Sequence, residues 1–419
     1  MGYLARKVLF TALLLIVLVV LCMFNVMVFV PDLAAKFQYK VVASLPDLRN
    51  AIETVDATIN EDFIGRMHFV ELFSRIQNAL GRKEFWDFLY VKDGDGYLHE
   101  TSFYKGGDDR MIEYAMRLKV LQNRSIAKGA KMIFVLAPSK YKSGYTNNVD
   151  NLPIANPEAD ISQLMFYLNR FKVNSIDFNR VFPNDTLKYE QCFFKTEKYW
   201  TIPAALMASQ QLLAWMNKSG HVDLDPDGLY LSNEAFDWIT YPGTMVGTMG
   251  QKTGVPYSGT EDFTALWPAQ TRVYEYLRYL ENGERTVAKG TTYEILLDRS
   301  YVEKRTSLYG ESPYAAYHKG QFAHEIITNT ELPKGPNVLM IRDSYFNPVV
   351  AFLAPVCHTI DSIWSANEET IYNFEEYFHT HKYDYVIMEL DPYNIRDEAF
   401  DFYRKEAGTM LASADKEKE

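Results

Sequence analysis

The sequence is short of the residues that build disulfide frameworks and metal sites. Its 419 residues include three cysteines, and no CxxC, HExxH or Cys/His cluster occurs. The sequence therefore gives no indication of structural zinc, and we expect neither a metal nor another cofactor. Cys22 lies in an apolar run. Cys192 and Cys357 can pair in an oxidising compartment, but their wide separation in sequence leaves this open.

Positive charge is also scarce. The formal net charge is −11 at pH 7, and no basic stripe with interleaved aromatic residues breaks this pattern. The balance argues against nucleic acid as a partner. The apolar fraction of 47% and the aromatic fraction of 15% are high enough for a large core in one or two domains.

Long apolar runs are absent from the sequence except near the N-terminus. Val8 to Val30 is almost wholly apolar, and it is long enough to cross a hydrocarbon layer of about 30 Å. No small-x-small cleavage site follows, so we interpret it as an uncleaved signal anchor. Arg6 and Lys7 precede it, which predicts a single-pass cell-membrane protein with residues 1–7 in the cytoplasm and the rest of the chain outside.

Beyond the anchor, helical and strand patterns alternate. We expect a membrane-proximal helical region over 35–90, an α/β domain over 91–410 and a flexible tail over 411–419. Within the domain, 218–300 is rich in Gly, Asp, Thr, Tyr and Pro and predicts an irregular, partly β insertion. Four apolar runs predict buried strands separated by helices, and hence a mainly parallel sheet: 131–138, 174–178, 337–342 and 385–389.

The run that ends at Ser344 is the most informative for function. The predicted strand 337–342 is followed at once by Asp343-Ser344 and then by an apolar segment of helical length. A serine on a strand-to-helix turn presents its hydroxyl at the carboxyl edge of a parallel sheet, as nucleophiles do in hydrolases. Asp-Ser at a helix start is more often an ordinary N-cap, so both interpretations stay open. By the same edge rule, we expect Ala137–Lys140 and Asp177 near Ser344.

Several short segments carry a resemblance when they are taken in their order along the chain: 63–66, 93–98, 134–140, 196–201, 241–244, 261–268, 317–320 and 341–345. Together they resemble the SGNH-hydrolase-like proteins of the DHHW and alginate O-acetylation type, which are membrane-anchored extracytoplasmic proteins of bacteria. The resemblance covers most of the chain beyond the anchor. It implies an SGNH-like (flavodoxin-like) three-layer α/β sandwich with a mainly parallel sheet.

The same resemblance assigns site residues. In that family an Asp-x-His-Trp segment supplies the acid and the histidine of a Ser-His-Asp triad, so Ser344 corresponds to the nucleophile and Gly320 to a backbone oxyanion donor. The acid and histidine positions are occupied here by Glu197 and Tyr199. Tyrosine is a poor base near neutral pH because its pKa is about 10. His318 is the replacement that we expect nearest to the serine turn.

The remaining candidates flank these residues. Asp343 joins the catalytic candidates because it precedes the serine, and we expect substrate contacts from Trp200, Lys140, Arg342 and Asn347. The resemblance implies O-acetylation or related acyl transfer on a cell-envelope polysaccharide, with a membrane acyltransferase as a candidate partner. The alternative is a catalytically degenerate protein that binds glycan or partner without chemistry. A third reading is an envelope scaffold whose serine only caps a helix.

Overall fold

The structure is a computed structural model that describes residues 3–37, 49, 51–52, 54–55, 58, 65–103, 110–148, 150–182, 188–279, 284–319, 322–365 and 374–416. The chain divides into two compact units, Met1–Gly81 and Arg82–Glu419. All of the predicted site residues belong to the second unit.

The first unit includes two helices, α1 (Tyr3–Phe37) and α2 (Arg66–Ala79). The stretch Val8–Phe37 of α1 is long and apolar enough to cross a membrane. Its place agrees with the expected anchor at 8–30, while the orientation of the chain across the membrane stays a prediction. Within 35–90, where a helical region was expected, Arg66–Ala79 form the helix α2. Residues 38–48 and most of 50–64 lie outside the described residues, and 84–90 belong to a small sheet of the second unit.

The strands of the second unit are, in chain order, β1 (Glu84–Phe85), β2 (Tyr90–Lys92), β3 (Leu98–Glu100), β4 (Lys131–Leu136), β5 (Ser175–Asp177), β6 (Phe236–Met245), β7 (Glu261–Pro268), β8 (Val273–Tyr279), β9 (Arg285–Thr291), β10 (His324–Asn329), β11 (Asn337–Arg342), β12 (Thr359–Trp364) and β13 (Tyr385–Leu390). Its α-helices are α3 (Met111–Ala127), α4 (Glu158–Arg170), α5 (Phe178–Val181), α6 (Ile202–Gly220), α7 (Thr248–Thr253), α8 (Val255–Ser258), α9 (Thr292–Ile295), α10 (Ser300–Glu303), α11 (Asn347–Leu353), α12 (Phe374–Thr380) and α13 (Arg404–Lys416). Its 3-10 helices are Tyr189–Cys192, Asn233–Ala235, Pro313–Ala316, Ser344–Phe346, Ala354–Val356, Pro392–Asn394 and Asp397–Phe400.

An eight-stranded sheet in the order β5-β4-β13-β11-β12-β10-β8-β9 forms the centre of the second unit. The strands from β5 to β12 in that order are parallel, and β10, β8 and β9 continue the sheet in antiparallel fashion. The four apolar runs predicted from the sequence all fall in the parallel half. Their carboxyl ends meet at one edge, which is where sites form in such sheets.

Helices cover both faces of this sheet. Alternate residues of β11 point to opposite faces, so Val338 and Met340 join one buried core while Leu339 and Ile341 join the other. The first core includes α6 and α11, and the second includes α3, α4, α12 and α13. Helix α6 begins with Pro203 in its first turn, where a missing N–H costs nothing. The predicted mainly parallel α/β sandwich is confirmed.

The region 218–300 is more regular than the sequence suggested. Its strands β6 and β7 form a separate two-stranded sheet, as an insertion would, but β8 and β9 belong to the central sheet. They extend it because β8 pairs with β10 from Tyr274, opposite Asn329, to Tyr279, opposite His324, and β9 pairs in turn with β8. Near the C-terminus, α13 runs through Lys416, so the expected tail over 411–419 begins as helix. Cys192 and Cys357 are buried and are not joined by a disulfide.

Candidate functional site

Ser344 lies at the carboxyl end of β11. The chain leaves the strand at Asp343 and turns at once into the 3-10 helix Ser344–Phe346, which leads into α11 with Pro348 in its first turn. Ser344 is 7% exposed, so it lies just inside the edge of the sheet. The strand, turn and helix therefore follow one another as the sequence predicted.

The hydroxyl of Ser344 meets a phenol. Tyr199 Oη lies 2.9 Å from Ser344 Oγ, and within the described part of the chain no imidazole hydrogen-bonds to this serine. The Tyr199 ring stacks on Tyr314 with centroids 4.7 Å apart and meets Tyr345 edge-on at 5.2 Å. Burial raises the pKa of Tyr199, and the nearby Lys198 offsets this only in part. Tyr199 therefore occupies the place of a base beside the serine while keeping its proton at neutral pH.

Glu197, at the position of the family's acid, makes its contacts with another element. Its carboxylate accepts hydrogen bonds from the backbone N–H of Thr248 at 2.7 Å and from the Thr248 hydroxyl at 2.9 Å, at the start of α7. It also accepts one from the backbone N–H of Lys198 at 2.8 Å. A Cβ atom at Gly247 would lie 2.3 Å from Glu197 Cβ, so glycine is needed for this approach. Glu197 thus caps α7 and does not orient a base.

Two residues expected to bind substrate support this segment from inside. Lys140 Nζ donates to the backbone carbonyls of Lys195 at 3.0 Å and Glu197 at 2.7 Å, and burial lowers its pKa to about 8. Trp200 is fully buried, and its Nε1 donates to the carbonyl of Tyr345 at 2.9 Å. The indole therefore packs in the core, where it cannot reach a substrate, and it links the segment to the serine turn.

Asp343 joins the ends of two neighbouring strands. One carboxylate oxygen accepts from the backbone N–H of Tyr345 at 2.9 Å. The other accepts from the backbone N–H of Asp391 at 2.7 Å and from the side-chain amide of Asn394 at 2.9 Å. Asp343 is therefore the N-cap of the turn and a brace between β11 and β13. The N-cap reading holds for the aspartate, while the serine beside it remains at the edge.

The expected replacement base, His318, lies in an interior cluster. Its Nε2 contacts the carboxylate of Glu325 of β10, and its Nδ1 lies 3.5 Å from Arg342 Nη2 of β11. Arg342 also donates to Ser362 Oγ at 2.9 Å and to Asn347 Oδ1 at 2.8 Å. His318, Glu325 and Arg342 are each at most 1% exposed. Arg342 and Asn347, which were expected to bind substrate, thus complete a buried polar network. The expected oxyanion donor Gly320 lies outside the described residues.

Two acids that sequence reasoning passed over lie at the same edge as Ser344. Glu389 accepts a hydrogen bond from the backbone N–H of Asp343 at 3.1 Å, and Asp391 immediately follows β13. Burial raises the pKa of Glu389 well above its usual value, and burial together with Asp343 raises the pKa of Asp391 to about 8. The rule that sites form at the carboxyl ends of parallel strands, applied to 385–390, would have found Asp391.

A cavity of about 110 Å³ lies beside the Tyr199 segment. Its walls come from the small β1–β3 sheet, from that segment, from α7 and from the loops after β4 and β13: His99, Glu100, Lys140, Lys198, Met249, Asp391, Tyr393 and Asn394. His99 is not among the site residues predicted from the sequence. Its Nε2 lies 3.0 Å from Asp93 Oδ2, and burial lowers its pKa. The pairing of Val91 with His99 in the hairpin places the imidazole there, and no helical or strand period signals it.

Ser344, whose partner is a phenol, is not among the residues that line this cavity. The cavity wall itself offers hydroxyl, amide and ammonium groups. It can hydrogen-bond a polar ligand from several sides. Within the described ranges, no group of three or more His, Cys, Asp or Glu side chains is placed to hold a metal ion.

Comparison with known proteins gives structural neighbours. No protein-family model and no curated protein matches the sequence. Among solved structures, Bacillus cereus PatB1 with a sulfonyl adduct is 16% identical and has a TM-score of 0.55, over 75% of this chain and 99% of that one. A DHHW family protein from Eubacterium siraeum DSM 15702 is 16% identical with a TM-score of 0.48, over 76% and 94% of the two chains. The O-acetyltransferase domain of Pseudomonas putida AlgJ is 11% identical with a TM-score of 0.42, over 77% and 99%.

At these identities the likeness concerns architecture. The match to PatB1 spans three quarters of this chain and nearly the whole of its neighbour. The chain therefore shares its mainly parallel α/β fold with Bacillus cereus PatB1.

Proposed function

We propose that this protein belongs to the machinery that acylates a cell-envelope polysaccharide, and that its site binds glycan or an acyltransferase partner without forming an acyl-enzyme. The observation that carries the proposal is the 2.9 Å contact between Ser344 Oγ and Tyr199 Oη. The envelope role itself is supported by the sequence resemblance and by the shared fold.

A serine becomes a nucleophile when a neighbouring base takes its proton in the transition state. The neighbour here is a phenol whose pKa burial raises further, so at neutral pH it is itself protonated. The residue at the family's acid position does not replace the missing base, because the Glu197 carboxylate accepts its hydrogen bonds from Thr248 and from the backbone N–H of Lys198. Ser344 and Tyr199 are thus suited to donate and accept hydrogen bonds with a bound ligand.

The tethered arrangement is part of the proposal. Helix α1 would hold the protein in the cell membrane, and Arg6 and Lys7 would keep its start in the cytoplasm. The SGNH-like unit would then lie on the outer side, where envelope polymers and membrane acyltransferases are found. This placement gives the site access to a glycan without requiring a soluble substrate.

The cavity is suited to sugar hydroxyl groups. Lys198 and Tyr393 supply donors, Glu100 supplies an acceptor, and Asp391 with a pKa of about 8 carries a proton at neutral pH that it can donate. Mixed donors and acceptors around a small volume match groups that both donate and accept.

A serine-directed fluorophosphonate probe tests the proposal. We expect no Ser344-dependent labelling of the wild type at neutral pH, and full rescue of envelope acylation by Ser344→Ala in cells that lack the protein. Tyr199→His should create labelling by placing an imidazole at the serine. The gain should fall near the low end of the about 10²–10⁴-fold that a general base provides, because Glu197 does not orient the ring. Labelling of the wild type at neutral pH that disappears in Ser344→Ala would reject the binding role.

A second candidate is Ser344-dependent acyl transfer, which the strand-to-turn position of the serine favours. Ser344 Oγ would attack the acyl carbonyl while a Tyr199 phenolate takes its proton. The bond from the carbonyl carbon to the leaving alcohol would then break, with that proton passing from Tyr199 to the alcohol oxygen. Water or a sugar hydroxyl would attack the acyl-serine in the same way and free Ser344. This route needs an ionised tyrosine. Hydrolysis of a small acetyl ester, corrected for Ser344→Ala, should then rise steadily with pH past about 10. A flat profile at the level of Ser344→Ala leaves the binding role.

A further inference from the structure

The turn between β1 and β2 presents apolar side chains to the surface, far along the chain from the serine turn. Trp86, Phe88 and Leu89 are 54%, 40% and 51% exposed, and Phe103, which follows β3, is 78% exposed. The hydroxyl of Thr101 donates to the backbone carbonyl of Phe88, so the chain that leads to Phe103 lies against this turn. We refer to Trp86, Phe88, Leu89 and Phe103 as the apolar tip.

The apolar tip is held in place by its own hairpin. Its turn is closed by a hydrogen bond from the backbone N–H of Leu89 to the carbonyl of Trp86 at 2.9 Å. The flanking residues Phe85 and Tyr90 are buried in a core cluster with Leu98, Met249 and Tyr257. Trp86, Asp87 and Phe88 have φ angles of 53°, 48° and 65°, a region that residues other than glycine seldom adopt. The hairpin is therefore anchored inside while its turn projects outward.

The position and composition of the apolar tip indicate its partner. The second unit begins at Arg82, and β1 begins two residues later. Trp86, Phe88 and Leu89 of the tip are therefore among the first residues of this unit along the chain that comes from α1. Tryptophan, phenylalanine and leucine are the side chains that occupy the boundary between headgroups and acyl chains. The formal charges over residues 82–87 cancel: Arg82 pairs with Glu84 at 2.7 Å, and the sequence adds one base, Lys83, and one acid, Asp87. A projecting turn of this kind enters a fluid surface without needing a matching groove.

We propose that the apolar tip inserts into the interfacial region of the membrane that carries α1 and so docks the second unit against the bilayer. The inference rests on the proposed membrane tether and is independent of the chemistry at Ser344. Docking would fix the distance between the bilayer and the serine edge, and it would favour partners embedded in the same membrane.

Tryptophan fluorescence in lipid vesicles tests this inference. All six tryptophans lie at or beyond position 86, so quenching by phosphatidylcholine brominated on its acyl chains reports on the second unit alone. With full-length protein reconstituted in such vesicles, we expect quenching of the wild type that is lost in Trp86→Phe. The matched control Trp238→Phe replaces an indole of similar exposure, 47%, on β6 and should leave quenching unchanged. High salt should also leave it unchanged, because the contact is apolar.

Equal quenching in wild type and Trp86→Phe, or none in the wild type, would overturn the inference. An apolar tip covered by a second copy or by another protein gives the latter result. Carbonate extraction of the same vesicles distinguishes failure of the membrane tether from failure of the docking. Protein that resists extraction but shows no quenching keeps the tether and loses the docking, whereas protein that is extracted loses both. Thermal unfolding followed by circular dichroism verifies that Trp86→Phe is folded.

Discussion

The residue types of a hydrolytic triad are divided between two regions of the molecule. One is the serine edge, the sheet edge at Ser344, and the other is the interior cluster of His318, Glu325 and Arg342. At the edge, a serine contacts the phenol of Tyr199 at 2.9 Å. In the interior, an imidazole contacts Glu325 and lies 3.5 Å from Arg342. A serine, a histidine and an acid in one chain therefore do not make a catalytic set unless the fold brings them into contact.

The acids of the two regions differ in pKa, although burial alone would shift both in the same direction. Burial favours the protonated form of Glu325 and of Asp391 alike. Nevertheless, His318, Arg278 and Arg342 lower the pKa of Glu325 to about 2, whereas Asp343 helps to raise the pKa of Asp391 to about 8. The neighbouring charges decide the outcome: the interior cluster contains a charged carboxylate, and the edge contains a protonated one.

The largest effect is expected from breaking the interior cluster. Glu325→Gln removes the counter-charge of Arg278, whose Nε lies 3.0 Å from Glu325 Oε2, and of Arg342. Because both guanidinium groups stay buried, the free energy of unfolding should fall by about 3–5 kcal/mol. Urea denaturation measures this.

The matched control for that variant is Glu275→Gln on the neighbouring strand β8. Glu275 pairs with Lys289 at 2.8 Å, but both side chains are about half exposed. Its removal should lower the free energy of unfolding by less than about 1 kcal/mol. Equal losses from the two variants would show that the interior cluster is not desolvated as the structure indicates.

An intermediate effect is expected from the edge, as a dependence of stability on pH. The folded pKa of Asp391 is raised to about 8 from an unfolded value near 4, so the folded state keeps a proton that the unfolded state has lost. Stability is therefore highest below about pH 4 for this group and falls as pH rises to about 8.

Asp391→Asn removes this titration. The loss of unfolding free energy between about pH 5 and about pH 8 should be smaller in the variant by more than about 1.4 kcal/mol, the equivalent of one pKa unit. Urea denaturation at the two pH values in wild type and variant gives the difference. Identical pH dependence in the two proteins would mean that Asp391 ionises normally and that the edge resembles the interior cluster after all.

The parallel half of the sheet was predictable because its strands are buried on both faces. Continuous apolar runs at 131–136, 337–342 and 385–390 report that burial directly. Strands β10 and β12 gave no such signal, since they carry His324 and Asp361 in the interior. These two side chains satisfy each other at 2.8 Å, a compensation between strands that a pattern along one strand does not show.

The site was predictable to a similar extent. Ser344 followed from a strand-to-turn pattern, and the Tyr199 segment followed from a family resemblance. The contacts of His318 and His99 depend on how separate hairpins and strands meet, as when the β2–β3 hairpin brings His99 to the cavity wall beside Asp391. Trp200 and Arg342 were expected to contact substrate, but both are buried and form hydrogen bonds with other residues inside the protein.

The smallest effect is expected from removing the phenol hydroxyl itself. Tyr199→Phe keeps the ring that stacks on Tyr314 and deletes only the hydrogen bond to Ser344, so the free energy of unfolding should fall by about 0.5–1.5 kcal/mol. Urea denaturation measures this loss. The same variant also sharpens the contrast with the interior cluster. If the phenol acts only as a hydrogen-bond partner, any residual probe labelling at high pH should be unchanged in Tyr199→Phe. Loss of that labelling in a stably folded variant would instead show that Tyr199 acts as a general base for Ser344. The contact between Ser344 and Tyr199 would then be a weak catalytic pair, and not only a hydrogen bond.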